Sequence, residues 1–417
     1  MSERSWRTRL MRSKTRTIIA SLENAMTGLR QAPAWAGVLT FDQFSHRIVI
    51  GAAPPFQGGS ERDIGRAWSD NDDRLACGWL NRQGVPVNER VAASAVQTVA
   101  REDRFHPVCS YLDGLTWDRE ARLDTWLIRN LGAEDSAYTR AVSAKAMIAA
   151  VARIYLPGCK ADHMLVIEGR QGLGKSSALR IMFGPWFTDE IAEFGSKEAG
   201  FATVGAWGIE VAELDGMSRH ETASVKSFLS RSTDRFRPPY GRSVEEFPRT
   251  CVLIGTTNDE QYLADQTGNR RFWPVACDAP LDRKAFAAER DQLWAEAVYR
   301  YSQGEPWHLT GLVEEQALEQ QELRRSSDPW EKRICDALDG MEGQYTSVSM
   351  MLTHLGVPTS DQNRAHQTRV GKILRHRCGP STKPRWSPDR VYLVPDPTCS
   401  NREVGRDGAE FTKTINE

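Results

Sequence analysis

The chain has 417 residues, too many for one small domain, and its 40% hydrophobic and 26% charged content excludes a disordered or fibrous protein. A formal net charge of −1 exerts no global pull toward nucleic acid or membrane, so such a partner has to be met by locally clustered charge. Eight cysteines lie scattered without C-x-x-C spacing, several in apolar runs; they read as reduced core thiols of a cytoplasmic protein and argue against a structural metal.

The start, "MSERSWRTRLMRSKTR", carries six Arg or Lys against one Glu and reads as a solvated helix leading into Ile18–Leu29. It has no uninterrupted apolar region of the kind a secretion signal needs, and no later run is long enough to span a membrane. "VLTFDQFSHRIVIGA" predicts a strand pair and "APPFQGGS" a loop, so residues 1–65 form an N-terminal helix and strand segment. Residues 66–160 read as a helical, collar-like region: one helix pair breaks at Gly84, and further three- and four-residue apolar spacing runs to Pro157-Gly158. From 161 to 310 short apolar runs ("MLVIEG", "WGIEVAEL", "CVLIGTTN", "RRFWPVAC") alternate with helical segments, the last over Arg283–Ser302. Continuous apolar strands flanked by helices predict an α/β fold with a mostly parallel sheet covered on both faces. A linker is expected over 311–330, a winged-helix-like domain of three helices and a strand over 331–395, and a flexible tail over 396–417.

"GRQGLGKSS", residues 169–177, fits G-x-x-x-x-G-K-[ST] and has the required strand before it and helix after it. Gly169, Gly172 and Gly174 remove Cβ atoms so that backbone N–H groups, with those of Gln171, Leu173 and Ser177, can face a phosphate chain. Lys175 is expected to bridge the β- and γ-phosphates of ATP, and Ser176 to place its hydroxyl on Mg²⁺. Such a loop needs an acid at the end of a neighbouring strand, and "WGIEVAELDG" offers Glu210, Glu213 and Asp215. Glu213 and Asp215 lie nearest the strand's C-terminal end, where open α/β sheets put their ligands, and are expected to reach the metal through water; Glu213 is favoured for water activation, with Glu210 as a sharer of the metal or an orienting neighbour. Asn258, closing the strand "CVLIGTTN", could hold the lytic water or the γ-phosphate. In "GNRRFWPV", Arg270 or Arg271 is a candidate to stabilise transition-state charge, a group often supplied by a neighbouring subunit.

Two stretches suit nucleic acid. Residues 231–249 hold five Arg against three acids, and Arg235, Arg237, Tyr240 and Arg242 could contact a DNA backbone and stack on bases. Residues 332–394 hold ten Lys or Arg against five acids, with Arg369, Lys372 and Arg375 on one expected helix.

Taken together, "PGCKADHMLVIEGRQGLGKSS", "WGIEVAELDG", "FRPPYGR", "GTTN" and "TGNRRFWPV" resemble the virulence-associated protein E family, phage, plasmid and genomic-island ATPases related to superfamily 3 helicases of the AAA+ class. The resemblance covers roughly residues 100–310. It implies an ATP-hydrolysing hexameric ring that moves along single-stranded or forked DNA while a mobile element replicates, with a replication initiator or primase as a partner. It also places Lys226, Asp234 and Arg237 in a segment similar to a DNA-contacting hairpin. Related chains often carry a primase domain first; residues 1–160 show no strand-borne D-x-D pair for two-metal polymerisation, so priming is not expected. The competing readings are an ATP-switched DNA-binding initiator or regulator that does not unwind, and a phosphoryl transferase.

Overall fold

The computed structural model describes residues 5–395 apart from 57, 192, 193, 195, 238–243, 264–267 and 326–328. The chain divides into two compact units, residues 1–325 and 326–417, so the break falls inside the expected linker. Before it, however, Leu312–Leu323 is a helix, with Ala317 and Gln321 buried.

The first unit opens with an α/β module. Strands β1 (Leu39–Asp42), β2 (Arg47–Ile50) and β3 (Arg104–Phe105) form a sheet in the order β2-β1-β3. Helices Leu22–Gln31, Asp70–Arg82 and Glu89–Ala100 close one core with it, from Trp6 and Leu10 through Trp35, Phe41 and Leu80 to Ala100. This core crosses residue 65, so the helix pair expected to open a helical domain belongs instead with the strands before it. The expected continuous helix from the N-terminus is also interrupted. A 3₁₀ turn at Trp6–Arg9 leads into a tight loop, and the helix starts only at Leu22. Ser13, Thr15 and Thr17 bond one another and the local backbone, which diverts that stretch from helix.

The later helices Pro107–Asp113, Trp126–Leu131 and Ala137–Tyr155 pack on the central sheet. That sheet joins β4 (Met164–Glu168), β5 (Phe187–Thr188), β6 (Gly208–Val211), β9 (Val252–Thr257) and β10 (Phe272–Ala276), with a separate antiparallel hairpin of β7 (Thr233–Phe236) and β8 (Glu245–Pro248) between β6 and β9. Its order is β10-β4-β9-β6-β5 and every pairing is parallel. Alternate residues of β4 feed two cores: Leu165 and Ile167 face helices Ala137–Tyr155, Lys175–Phe183 and Arg283–Ser302, while Met164 and Val166 join Val225, Phe228 and Leu253 on the other face. Trp207 and Trp294 stack at 4.1 Å within the first core, and their indole N–H groups donate to Ala150 O and Met182 O, both at 2.8 Å. These bonds satisfy the two rings' only polar atoms.

In the second unit, helices Pro329–Leu338, Val348–His354 and Arg364–Cys378 surround Ile334, Leu352 and Ile373, beside an antiparallel pair of β11 (Tyr345–Ser347) and β12 (Val391–Leu393). No helix among the described residues is long and apolar enough to cross a membrane.

Candidate nucleotide site

The C-terminal ends of β4, β9 and β6 lie side by side, which is where an open parallel sheet presents its ligands. The loop leaving β4 turns through Gly169, Gly172 and Gly174 at φ of 143°, 91° and 91°, the region that favours glycine. A Cβ on Gly169 would stand 2.3 Å from Cys277 O, whereas one on Gly172 meets nothing within 4 Å, so the middle of the loop is open. The loop is pinned to both flanking strands: Gly169 N donates to Thr257 O at 3.3 Å, Cys277 N to Glu168 O at 2.9 Å, and Leu281 N to Leu173 O at 2.9 Å. The helix then begins at Lys175, with the αL residue Gly174 as its cap, and its N-terminus carries the positive end of the helix dipole.

Three strand-end groups, Glu210, Thr256 and Asn258, converge on this loop. Lys175 is buried, and its ammonium donates to Asn258 Oδ1 at 2.9 Å, to Arg170 O at 3.1 Å and to Gly169 O. Ser176 Oγ donates to Glu210 Oε1 at 2.6 Å, and Thr256 Oγ1 donates to the same oxygen at 2.7 Å. Glu210 is 2% exposed, and it, rather than Glu213, is the acid that meets the serine of the glycine loop. The reason is topological. Because β9 lies between β4 and β6, the inward-facing residue of β6 aligned with Ile254 points across β9's end toward the loop. Glu213 is exposed, beyond the strand, at φ 54°. Asp215 lies in the 3₁₀ turn Leu214–Gly216, and its side chain is outside the described residues. A cleft of roughly 290 Å³ adjoins Glu210 and is lined also by Asp189, His220 and Glu221.

Two carboxylate oxygens, a serine hydroxyl and a threonine hydroxyl form a hard oxygen set of the kind that suits Mg²⁺. With the open glycine loop and the adjacent ammonium, they fit a metal-bound polyphosphate.

Glu168, at the end of β4, carries no sequence motif, yet it is buried and fully partnered. Tyr262 Oη donates to it at 2.7 Å, and Arg324 holds both its oxygens at 2.9 to 3.1 Å. Burial and the neighbouring Glu168 carboxylate raise Tyr262 well above a phenol's ordinary value, so it stays protonated and donating. Burial, again with Glu168 nearby, pushes the Cys277 thiol up to about 12. An acid closing an otherwise apolar strand was the one signal that could have singled out Glu168.

The arginine turn lies elsewhere. Asn269–Arg271 precedes β10, whose Phe272 pairs with Met164 at the start of β4. Arg270 and Arg271 therefore sit on the opposite edge of the sheet from the glycine loop, about 16 Å away along the strands. Lys226 Nζ donates to Asn269 Oδ1 and Arg271 Nε to Ser230 Oγ, both at 2.9 Å, which fastens this turn to helix Arg219–Leu229. Lys226 is itself buried, with its ammonium over the Phe272 ring, so it supports the turn and offers no surface to DNA.

On the β7–β8 hairpin, Arg235 pairs across the strands with Glu246 at 2.8 Å and Arg237 is exposed. Asp234 is buried and takes two bonds from Arg249, at 2.6 and 2.9 Å, which fix the base of the hairpin. Tyr240 and Arg242 lie outside the described residues. In the second unit Lys372 and Arg375 are exposed, while Arg369 lies over the Trp330 ring at 4.2 Å.

The virulence-associated protein E-like domain matches residues 112–326. No curated protein matches the chain. Among solved structures it is similar to the apo structure of the NrS-1 C terminal region, at 12% identity and a TM-score of 0.48 over 85% of this chain and 95% of that one. An A form of the same region gives 12% identity and a TM-score of 0.42 over 68% and 78%. With a strand-bounded glycine loop, its serine on a buried strand-end acid, and a family match across half its length, the chain belongs to the virulence-associated protein E-like family.

Proposed function

We propose that the protein is a Mg²⁺-dependent ATPase that acts on DNA during replication of a mobile element, assembled as a ring with ATP at the subunit interfaces. The observation that carries this reading is the meeting of Lys175, Ser176, Glu210, Thr256 and Asn258 at the C-terminal edge of one parallel sheet. Lys175 bridges the β- and γ-phosphates and Asn258, already hydrogen-bonded to it, orients the γ-phosphate or the attacking water. Mg²⁺, held by Ser176 and through water by Glu210, would neutralise charge on the transferring phosphoryl group. Glu213, exposed just beyond β6, accepts the proton of the attacking water.

Neither Arg270 nor Arg271 can reach that γ-phosphate within its own chain. Placed on the far edge of the sheet, they suit a neighbour's site, so hydrolysis requires an interface. The β7–β8 hairpin and a winged-helix-like second unit, through Lys372 and Arg375, contact DNA.

The test is ATP turnover by the purified chain, with and without single-stranded DNA, over a range of protein concentration. Turnover should rise with both and vanish in Lys175→Ala. Near wild-type turnover in Lys175→Ala would remove the site assignment, and turnover indifferent to DNA and concentration would remove the interface motor.

A further inference from the structure

The N-terminal module carries a built loop that serves no core. Trp6 and Leu10 anchor its base, at 2% and 5% exposure, and every residue from Met11 to Thr17 is exposed. The loop is nevertheless ordered as a small hairpin: Arg12 and Ile18 form an antiparallel bridge, Ser13 N donates to Thr17 O at 2.8 Å, and Ile19 N donates to Met11 O at 3.0 Å. Asn24, fully buried, clamps its two stems together. The Asn24 side chain accepts from Met11 N at 2.7 Å and donates to Met11 O at 2.9 Å and Ile19 O at 2.8 Å. At the tip Arg16 adopts φ 65°, uncommon for a side chain with a Cβ, and its carbonyl accepts from Arg12 Nη1 at 3.0 Å.

This hairpin and its base present Arg7, Arg9, Arg12, Lys14 and Arg16, all exposed, with no acid anywhere between Ser5 and Leu22. In the same module Arg30 pairs with Glu102, Arg66 with Asp63 and Asp72, and Arg74 with Glu89. Among the described residues none of the five forms an ion pair. A buried asparagine thus holds in place a finger of like charges that repel one another, a cost that a polyanion would reverse. The hydroxyls of Ser13, Thr15 and Thr17 add hydrogen-bonding groups of the kind that meet phosphate oxygens.

We propose that the Arg12–Thr17 hairpin is a preformed contact for a nucleic-acid phosphate backbone, outside the family-matched domain and separate from the nucleotide site. A membrane surface fits less well. The exposed apolar side chains Met11, Ile19 and Leu22 stand at the foot of the hairpin, whereas residues 12–17 at its tip are wholly polar. A loop built to enter lipid places its apolar groups foremost.

The experiment is fluorescence anisotropy of the full chain on labelled single-stranded and duplex oligonucleotides without nucleotide, across a salt series. In the triple variant Arg12→Gln, Lys14→Gln, Arg16→Gln, the Kd should rise at least about tenfold near 0.1 M salt, and the slope of log affinity against log salt should fall by about 2 to 3. Lys14→Gln alone should lower the slope by about 1 with an unchanged melting temperature, because the Lys14 side chain forms no hydrogen bond or ion pair among the described residues. Unchanged Kd and slope in both variants would overturn the proposal. So would binding to phosphatidylserine vesicles that the triple variant loses while its oligonucleotide affinity stays wild-type. Because the assay contains no ATP, a chain that fails to hydrolyse ATP still tests the hairpin.

Discussion

At the scale of single residues, the acids after β6 show why spacing alone was ambiguous. Three carboxylates fall within six positions of "WGIEVAELDG", and a strand turns alternate side chains to opposite faces, so the choice depends on register. Register places Glu210 opposite Ile254 of β9, with its oxygen on Ser176 and Thr256. Glu213 instead occupies a left-handed conformation in the open. If Glu210 holds the metal side and Glu213 activates water, the two isosteric variants should separate. Glu210→Gln should lower turnover roughly a hundredfold or more and raise the Mg²⁺ concentration needed for half-maximal activity; Glu213→Gln should lower turnover by a similar factor and leave Mg²⁺ dependence alone. Wild-type turnover in Glu213→Gln would end its role as base.

Another residue-scale consequence concerns acid stability. His163 lies flat on Trp273, ring centroids 3.7 Å apart, and burial pushes its imidazole down to about 3, with Arg153 adding to the effect. A neutral native histidine means that the unfolded chain takes up the proton first. Stability from this site is therefore complete above about pH 6.5 and is lost as pH falls toward 3. The residue as a whole is only half-buried, which screens part of the penalty; the loss between pH 7 and 5 should be roughly 1 to 2 kcal/mol. Denaturant unfolding of the wild type and His163→Phe at both values checks it, because the variant should lack that increment.

At the scale of elements, strand ends and motif order were legible because both faces of the sheet are buried, so β4, β9 and β10 appear as apolar runs. What escaped was whatever depends on distant partners. Lys226, expected in a DNA-contacting segment, is enclosed by Asn269 and the Phe272 ring, and Leu312–Leu323 reads as linker because Glu and Gln fill seven of its twelve positions. That helix holds β10 through Gln321 Nε2, which donates to Phe272 O at 2.8 Å, and delivers Arg324 to Glu168 beneath the glycine loop. Arg324→Ala leaves Glu168 buried and charged beside Tyr262, so it should cost about 3 to 5 kcal/mol. The pair Glu168→Gln with Arg324→Met should cost distinctly less, since no buried charge is stranded. Equal losses in chemical denaturation would show that the ion pair is not what ties the helix to the strand.

At the scale of the whole molecule, the sheet keeps its glycine loop and its arginine turn on opposite edges. The five-residue strand β10 separates them by about 16 Å, more than an arginine side chain spans. On the proposed function, a chain so built would carry half a catalytic site on each side. If the halves meet between subunits, a Lys175→Ala chain still offers an intact arginine turn, and a chain with Arg270→Ala and Arg271→Ala still offers an intact loop. Each alone should be inactive. Mixed in equal amounts and allowed to exchange, some interfaces pair a sound loop with a sound turn, and ATP turnover should recover to the order of a quarter of wild type if interfaces form at random and act independently. Recovery should also rise with total protein concentration, because it depends on association. Lys226→Met, which removes the bond to Asn269 without touching either arginine, should act in the mixture as a weakened turn. Full activity of the double-arginine variant by itself would show that the far edge of the sheet plays no part in hydrolysis.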